Sequence, residues 1–293
     1  MLPSSGSHPA AAPASGWRLE SSLGIQIRVP AHWAVNDYGC NMSDAPTVVR
    51  GKGVEAGCFT PEAPTKELAW IGPDSSLPVE ASQSLSRRAL MLGAVRAERA
   101  EGTGADGRHV GWLKLPALGA AVVVKTLDPA VRSQILDSVA VVEVDHHGCP
   151  SRRPAAARPA IVHPQAASRI ALEAPRSISI CYYGTATDLL QSSTRLEGAH
   201  ARQLAARLNA MPAGPNPDTN PRECLHPPAP PPADAVLLID DGAARGSVYV
   251  AFSGCIGRGL DNGARRGHVG AALLKAIMDP LGTGYGFSGP LSP

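Results

Sequence analysis

Aromatic residues make up only 4% of the 293-residue chain, and alanine accounts for much of its 44% hydrophobic content. The sequence therefore predicts aliphatic cores of modest volume, in which covalent cross-links add useful stability. No apolar run is long enough to span a bilayer, and the visible N-terminus lacks the basic segment and apolar stretch of an export signal. No Cys-x-x-Cys pair occurs, which argues against a zinc ribbon or a thioredoxin-like motif. Gly-x-Ser-x-Gly and Ser-x-x-Lys are also missing, so these two routes to an activated serine have no signature. A net charge of +2 and a pI near 8.3 lie too close to neutrality to indicate a nucleic-acid or anionic-membrane partner. No set of catalytic groups with specific spacing emerges.

The six cysteines are dispersed over expected strand ends and loops. That usage favours structural disulfides and an oxidising compartment, extracellular or in the cell envelope. Met1 to Gly16 is rich in Pro, Ala and Ser and reads as a disordered spacer of the kind that follows an export signal or anchor. An N-terminal signal or membrane segment upstream of this numbering is therefore expected, and any membrane association would run through it. Arginine outnumbers lysine, and Ala, Gly and Pro are abundant, a bias of high-GC bacterial genomes that says little about function.

Ile25, Ile27 and Val29 alternate in a strand closed by Pro30, and Trp33 follows as a core anchor. Cys40 and Cys58 bracket a short strand at Thr47 to Arg50. A bridge between them would close a loop of about eighteen residues, worth roughly 3 kcal/mol in the chain-entropy model. Further strands are expected at Glu67 to Ile71, Ala94 to Arg99, Val110 to Leu115, Ala120 to Leu127 and Val141 to Val144. Asp128 and Pro129 have the chemistry of an N-cap and first helical position, with Val131, Ile135 and Val139 as the buried stripe. Proline- and arginine-rich sequence at 148–160 predicts a linker. Beyond it, Ser177 to Tyr183 alternates as a strand, and Ala201, Leu204, Ala205, Leu208 and Met211 recur at helical spacing. Nine prolines then lie between Pro212 and Pro232, making an extended loop that carries Cys224. Ala233 to Asp240 and Ser247 to Phe252 read as an antiparallel hairpin, and His268 to Met278 as a last helix.

The resulting expectation is an α+β protein of two small domains, each a mainly antiparallel sheet packed against one or two helices and carrying disulfides. The units are a disordered spacer at 1–16, a first domain at 17–147, the linker at 148–160, a second domain at 161–281 and a flexible tail at 282–293. All four tryptophans fall in the first half and four of the five tyrosines beyond it, as two separate cores would produce.

Ile25-x-Ile27-x-Val29-Pro30-x-x-Trp33, the following short strands and the helix running from Leu127-Asp128-Pro129 to Ile135-Leu136-Asp137-Ser138-Val139 resemble the organisation of the PsbP-like family and its bacterial lipoprotein relatives. The second half, with Ile180-Cys181-Tyr182-Tyr183, Leu196-Glu197-Gly198-Ala199 and Ser253-Gly254-Cys255, is similar to uncharacterised exported proteins of high-GC bacteria. The resemblance implies an envelope location and a binding or scaffolding role, and transfers no catalytic residue.

Asp145, His146 and His147, with Cys149, place potential metal ligands within five residues. Imidazole with carboxylate or thiolate suits zinc. The spacing matches no established site, so the bland reading is a polar strand end with Cys149 in a disulfide, and no cofactor is expected. Gly254 to Gly267 follows a strand and precedes a helix, but it lacks a P-loop ending. Arg258, Arg265 and Arg266 in it are candidates for contacting an anionic ligand, and Tyr182 for stacking on a sugar. Cys224 is expected to pair with Cys255, with Cys181 able to replace either partner and the pairing of Cys149 and Cys181 left open. The function these features favour is a non-enzymatic exported or envelope-associated protein that binds a protein or cell-wall component and no nucleic acid. The alternative is an extracellular hydrolase or metal-dependent enzyme.

Overall fold

The computed structural model describes residues 16–37, 43–51, 66–76, 85–154, 161–183, 188–217, 233–253 and 256–283. Both predicted bridges, Cys40–Cys58 and Cys224–Cys255, lie outside the described residues, as do the spacer to residue 15 and the tail from residue 284.

The first part of the chain runs through β1 (Trp17–Ser22), β2 (Ile25–Pro30), β3 (Ala34–Val35), β4 (Thr47–Arg50), β5 (Leu68–Pro73), β6 (Ser86–Leu92), β7 (Val95–Thr103), β8 (His109–Leu115), β9 (Ala120–Thr126), α1 (Pro129–Asp137) and β10 (Ala140–Val141). These strands form two sheets rather than the single one expected. One has three strands in the order β1-β2-β10, and the other seven in the order β3-β4-β5-β9-β8-β7-β6. Pairing is antiparallel except at β3–β4 and β4–β5, which are parallel. Ile25, Ile27 and Val29 of β2 meet Leu113, Val122 and Val124 across a core that α1 closes with Ile135 and Leu136. The helix begins as its sequence dictates, with the Asp128 side chain accepting the Ala130 N–H at 2.7 Å and proline in the first turn.

The second part runs through β11 (Ser177–Tyr182), β12 (Ser192–Glu197), α2 (Gly198–Asn209), β13 (Ala235–Asp240), β14 (Arg245–Ala251), β15 (Gly259–Asp261), β16 (Arg266–Gly267) and α3 (Ala271–Met278). Its six strands form one antiparallel sheet ordered β12-β11-β13-β14-β15-β16. Ile178, Ile180, Leu237 and Ile239 on one face of it pack against Leu204 and Leu208 of α2 and Leu273 and Ile277 of α3. Among the described residues the protein is thus mostly sheet, with three α-helices.

The opposite face of this sheet is covered by the chain leaving the first part. Residues 148–154, expected to be an exposed linker, are packed there. Cys149 is buried and bonded to Cys181 of β11, closing 32 residues. Tyr183 donates its hydroxyl to Pro150 O at 2.9 Å, and Arg153 N–H donates to Asp188 O at 2.6 Å. Arg153 is itself buried over the Tyr183 ring, while Arg152 stays exposed. A proline- and arginine-rich composition therefore marks a segment without periodicity here, and not one without contacts. Gly282 and Thr283, expected in the tail, are also held: Asn36 Nδ2 donates to Gly282 O at 2.7 Å, and Thr283 is buried.

Candidate functional site

The two parts of the chain meet along a polar seam. β1 supplies Glu20, Ser21 and Ser22, β4 supplies Arg50 and β12 supplies Ser192 and Ser193, all of them buried. Glu20 accepts hydrogen bonds from Arg18 at 2.7 Å and, closer, from Arg50. Arg50 also donates to Ser192 Oγ, so one guanidinium joins both parts. Burial by itself would raise the Glu20 carboxyl, but Arg50 and Arg18 outweigh it and hold the group below its ordinary value. The Leu23–Gly24 turn between β1 and β2 seals one end of the seam. Leu23 has a φ of 53°, which a leucine tolerates only when its surroundings hold it. Its N–H donates to Leu190 O at 2.6 Å, and Ser22 Oγ donates to Gln191 O at 2.9 Å.

At the other end lies the turn Asp145-His146-His147-Gly148, closed by the Gly148 N–H on Asp145 O at 2.9 Å, with Gly148 at a φ of 86°. The Asp145 side chain organises it. Oδ1 accepts the N–H groups of His147 at 3.0 Å and Cys149 at 2.8 Å, and Oδ2 accepts the Ser193 hydroxyl. His147 Nδ1 lies 3.0 Å from the same Ser193 Oγ. Ser193 has one proton and donates it to Asp145 Oδ2, so His147 Nδ1 must donate to Ser193 Oγ. His146 is fixed in the same way. Gln26 Oε1 accepts from the His146 N–H at 3.0 Å and from Ser21 Oγ at 3.1 Å, so the His146 Nδ1, 3.2 Å from Ser21 Oγ, carries its proton.

Burial, reinforced by the neighbouring His146 and Arg50, pushes His147 down to about 3. Burial also lowers His146, against the opposing pull of Asp145 and Glu20. Both imidazoles are therefore neutral near pH 7, their rings 3.8 Å apart and tilted by 40°. One ligand atom from each of Asp145, His146 and His147 lies within 4.8 Å of the others. The serine is wrong for hydrolysis. A nucleophilic serine gives its proton to a histidine that a carboxylate orients, whereas here Ser193 stands between the two and its proton is already on the carboxylate side.

The arginines picked out in the sequence do not converge. Arg258 is buried and donates to Pro217 O at 3.1 Å, Arg265 donates to Ser168 O at 3.2 Å, and Arg266 pairs with Asp261 at 3.3 Å. Tyr182 is buried against Phe252, with centroids 6.5 Å apart. The structure instead gathers Arg176, just before β11, Arg195 of β12 and Arg245 of β14 around a recess of about 510 Å³ that also presents Ser177 and Asp240. Arg245 Nε lies 3.1 Å from Asp240, and Arg195 Nε lies 3.2 Å from Glu197. The guanidinium of Arg176 rests on Gly242, where a Cβ would fall 2.4 Å from its Cζ. No sequence motif links these positions, because only the register Ser179↔Arg195 and Ser177↔Asp240 and the turn after β13 bring them together. A second groove of about 580 Å³, along β6 and β7, has Arg87, Arg88, Arg96 and Glu98 around a largely alanine and proline wall. The chain matches no family model, no curated protein and no solved structure.

Proposed function

We propose that the chain is a non-enzymatic binding protein of an oxidising, extracytoplasmic compartment, built as two domains joined by the polar seam. Its ligand is an anionic component of the cell wall, bearing phosphate or carboxylate groups. The observation that carries this reading is the recess on which Arg176, Arg195 and Arg245 converge, with Arg245 paired to Asp240 and Arg195 to Glu197 at its edge. Guanidinium groups recognise phosphate and carboxylate by paired N–H donors, and an open recess admits a polymer that an enclosed pocket would exclude. The Cys149–Cys181 bridge supports the compartment, and the two largest apolar clusters, one in each part of the chain, support the two domains. The direction of the Ser193 hydrogen bond counts against a hydrolase.

Co-sedimentation with purified cell walls tests the reading. The protein should bind walls in low salt and be released as ionic strength rises, and the triple variant Arg176→Ala/Arg195→Ala/Arg245→Ala should lose most of that binding. Walls stripped of phosphodiester-linked polymer with hydrofluoric acid separate the ligands, since retained binding assigns the carboxylates and lost binding the phosphates. Unchanged binding by the triple variant would overturn the proposal.

A further inference from the structure

We propose that His146 and His147 hold one borderline transition-metal ion, Zn²⁺ or Cu²⁺, between their two Nε2 atoms. The inference is independent of the arginine recess. Adjacent residues seldom converge on one ion, but a closed turn can make them do so: the Asp145–Gly148 turn sets the ring centroids 3.8 Å apart, with one ligand atom of each histidine within 4.8 Å of the other. Both Nδ1 atoms donate to serine hydroxyls, which makes Nε2 the ligand atom of each ring. Among the described residues neither Nε2 has a hydrogen-bond partner, and both histidines are half-buried.

The surroundings match what metal-binding imidazoles require. A ligating histidine is held by a hydrogen bond from its other ring nitrogen, which sets tautomer and orientation. Here Ser193, itself fixed by Asp145, holds His147, and Ser21, fixed by Gln26, holds His146. Asp145 lies near enough to be counted with the ligands, but its carboxylate already accepts three hydrogen bonds from this chain. It is therefore a positioning residue. Two imidazole nitrogens select zinc or copper over the oxygen-seeking magnesium and calcium.

Titration of the full, untagged chain with Cu²⁺, followed by electron paramagnetic resonance, tests this. The expected result is one Cu²⁺ per chain, with superhyperfine splitting from two imidazole nitrogens. His146→Ala and His147→Ala should each weaken binding at least about tenfold, and Ser193→Ala, which keeps both ligands but frees one ring, by about tenfold. His200→Ala, an exposed histidine on α2, should change nothing. Binding that survives in the His146→Ala/His147→Ala double variant, or a spectrum without two nitrogens, would overturn the assignment. Should the histidine variants fail to fold, wild-type protein decides: Zn²⁺ should protect both rings from diethyl pyrocarbonate, and equal modification with and without Zn²⁺ would refute the site.

Discussion

Ser193 Oγ stands between Asp145 and His147, giving its proton to the carboxylate and accepting the one on the ring. The hydroxyl is thereby a strut and not a nucleophile, tying β12 to the turn that ends the first part of the chain. Removing the hydroxyl in Ser193→Ala would leave a buried carboxylate oxygen and a ring N–H without partners. A loss of about 1–3 kcal/mol in urea unfolding is expected. Fluorophosphonate probes should leave Ser193 unlabelled in the wild type, because its proton is not on the histidine.

Glu20 and Arg50 form the charged centre of the seam, both nearly sealed from solvent. Breaking such a pair strands a buried charge, so Glu20→Gln and Arg50→Met should each cost about 3–5 kcal/mol. Replacing both with apolar residues of similar size should cost less than either single change, as chemical denaturation of the three variants would show.

The same pair sets an acid limb. The Glu20 carboxyl is held below its ordinary value of 4.5 in the folded chain, so the unfolded chain takes up a proton first as pH falls. The stability from this group is complete above 4.5 and lost as pH drops through the lowered folded value. Stability measured from pH 7 downward should fall less steeply below 4.5 in Glu20→Gln than in the wild type.

Cys149–Cys181 closes 32 residues, for which the chain-entropy model predicts about 3–4 kcal/mol. Non-reducing peptide mapping should recover these two cysteines in one linked pair. The Cys149→Ser/Cys181→Ser variant should melt several degrees lower.

Gly51 has a φ of 50°, and a Cβ there would fall 2.2 Å from the Gln191 carbonyl oxygen across the seam. Gly93, with a φ of 58°, has open space around the same position. Gly93→Ala should therefore cost only the backbone penalty of about 1–2 kcal/mol. Gly51→Ala should cost clearly more, because a backbone atom of the other part must move.

The elements whose apolar residues recur with a clear period were legible from sequence. β2, α1, α2 and the β13–β14 hairpin lie within a few residues of their expected limits, since Ile25, Ile27, Val29, Leu204 and Leu208 are buried as their spacing dictates. β1 and β12 escaped because the residues they bury, Glu20, Ser21, Ser22, Ser192 and Ser193, are polar and give no hydrophobic signal. These two strands build the seam, so its site was only half visible. The Asp145–His146–His147 cluster stood out as a row of ligands, while its partners Ser21, Gln26 and Ser193 had no reason to be singled out. Arg176, Arg195 and Arg245 carry no motif, and tertiary register alone makes them neighbours.

The tautomers of His146 and His147 test the central claim most directly, because the strut, the exclusion of a serine nucleophile and the two free lone pairs all depend on them. Long-range ¹H–¹⁵N correlation of the imidazole rings in metal-free protein at pH 7 reads them. The account predicts that both rings are neutral, with Nδ1 protonated and Nε2 bare. A protonated Nε2 on His147, with its Nδ1 accepting from Ser193, would contradict it and restore the hydrolase.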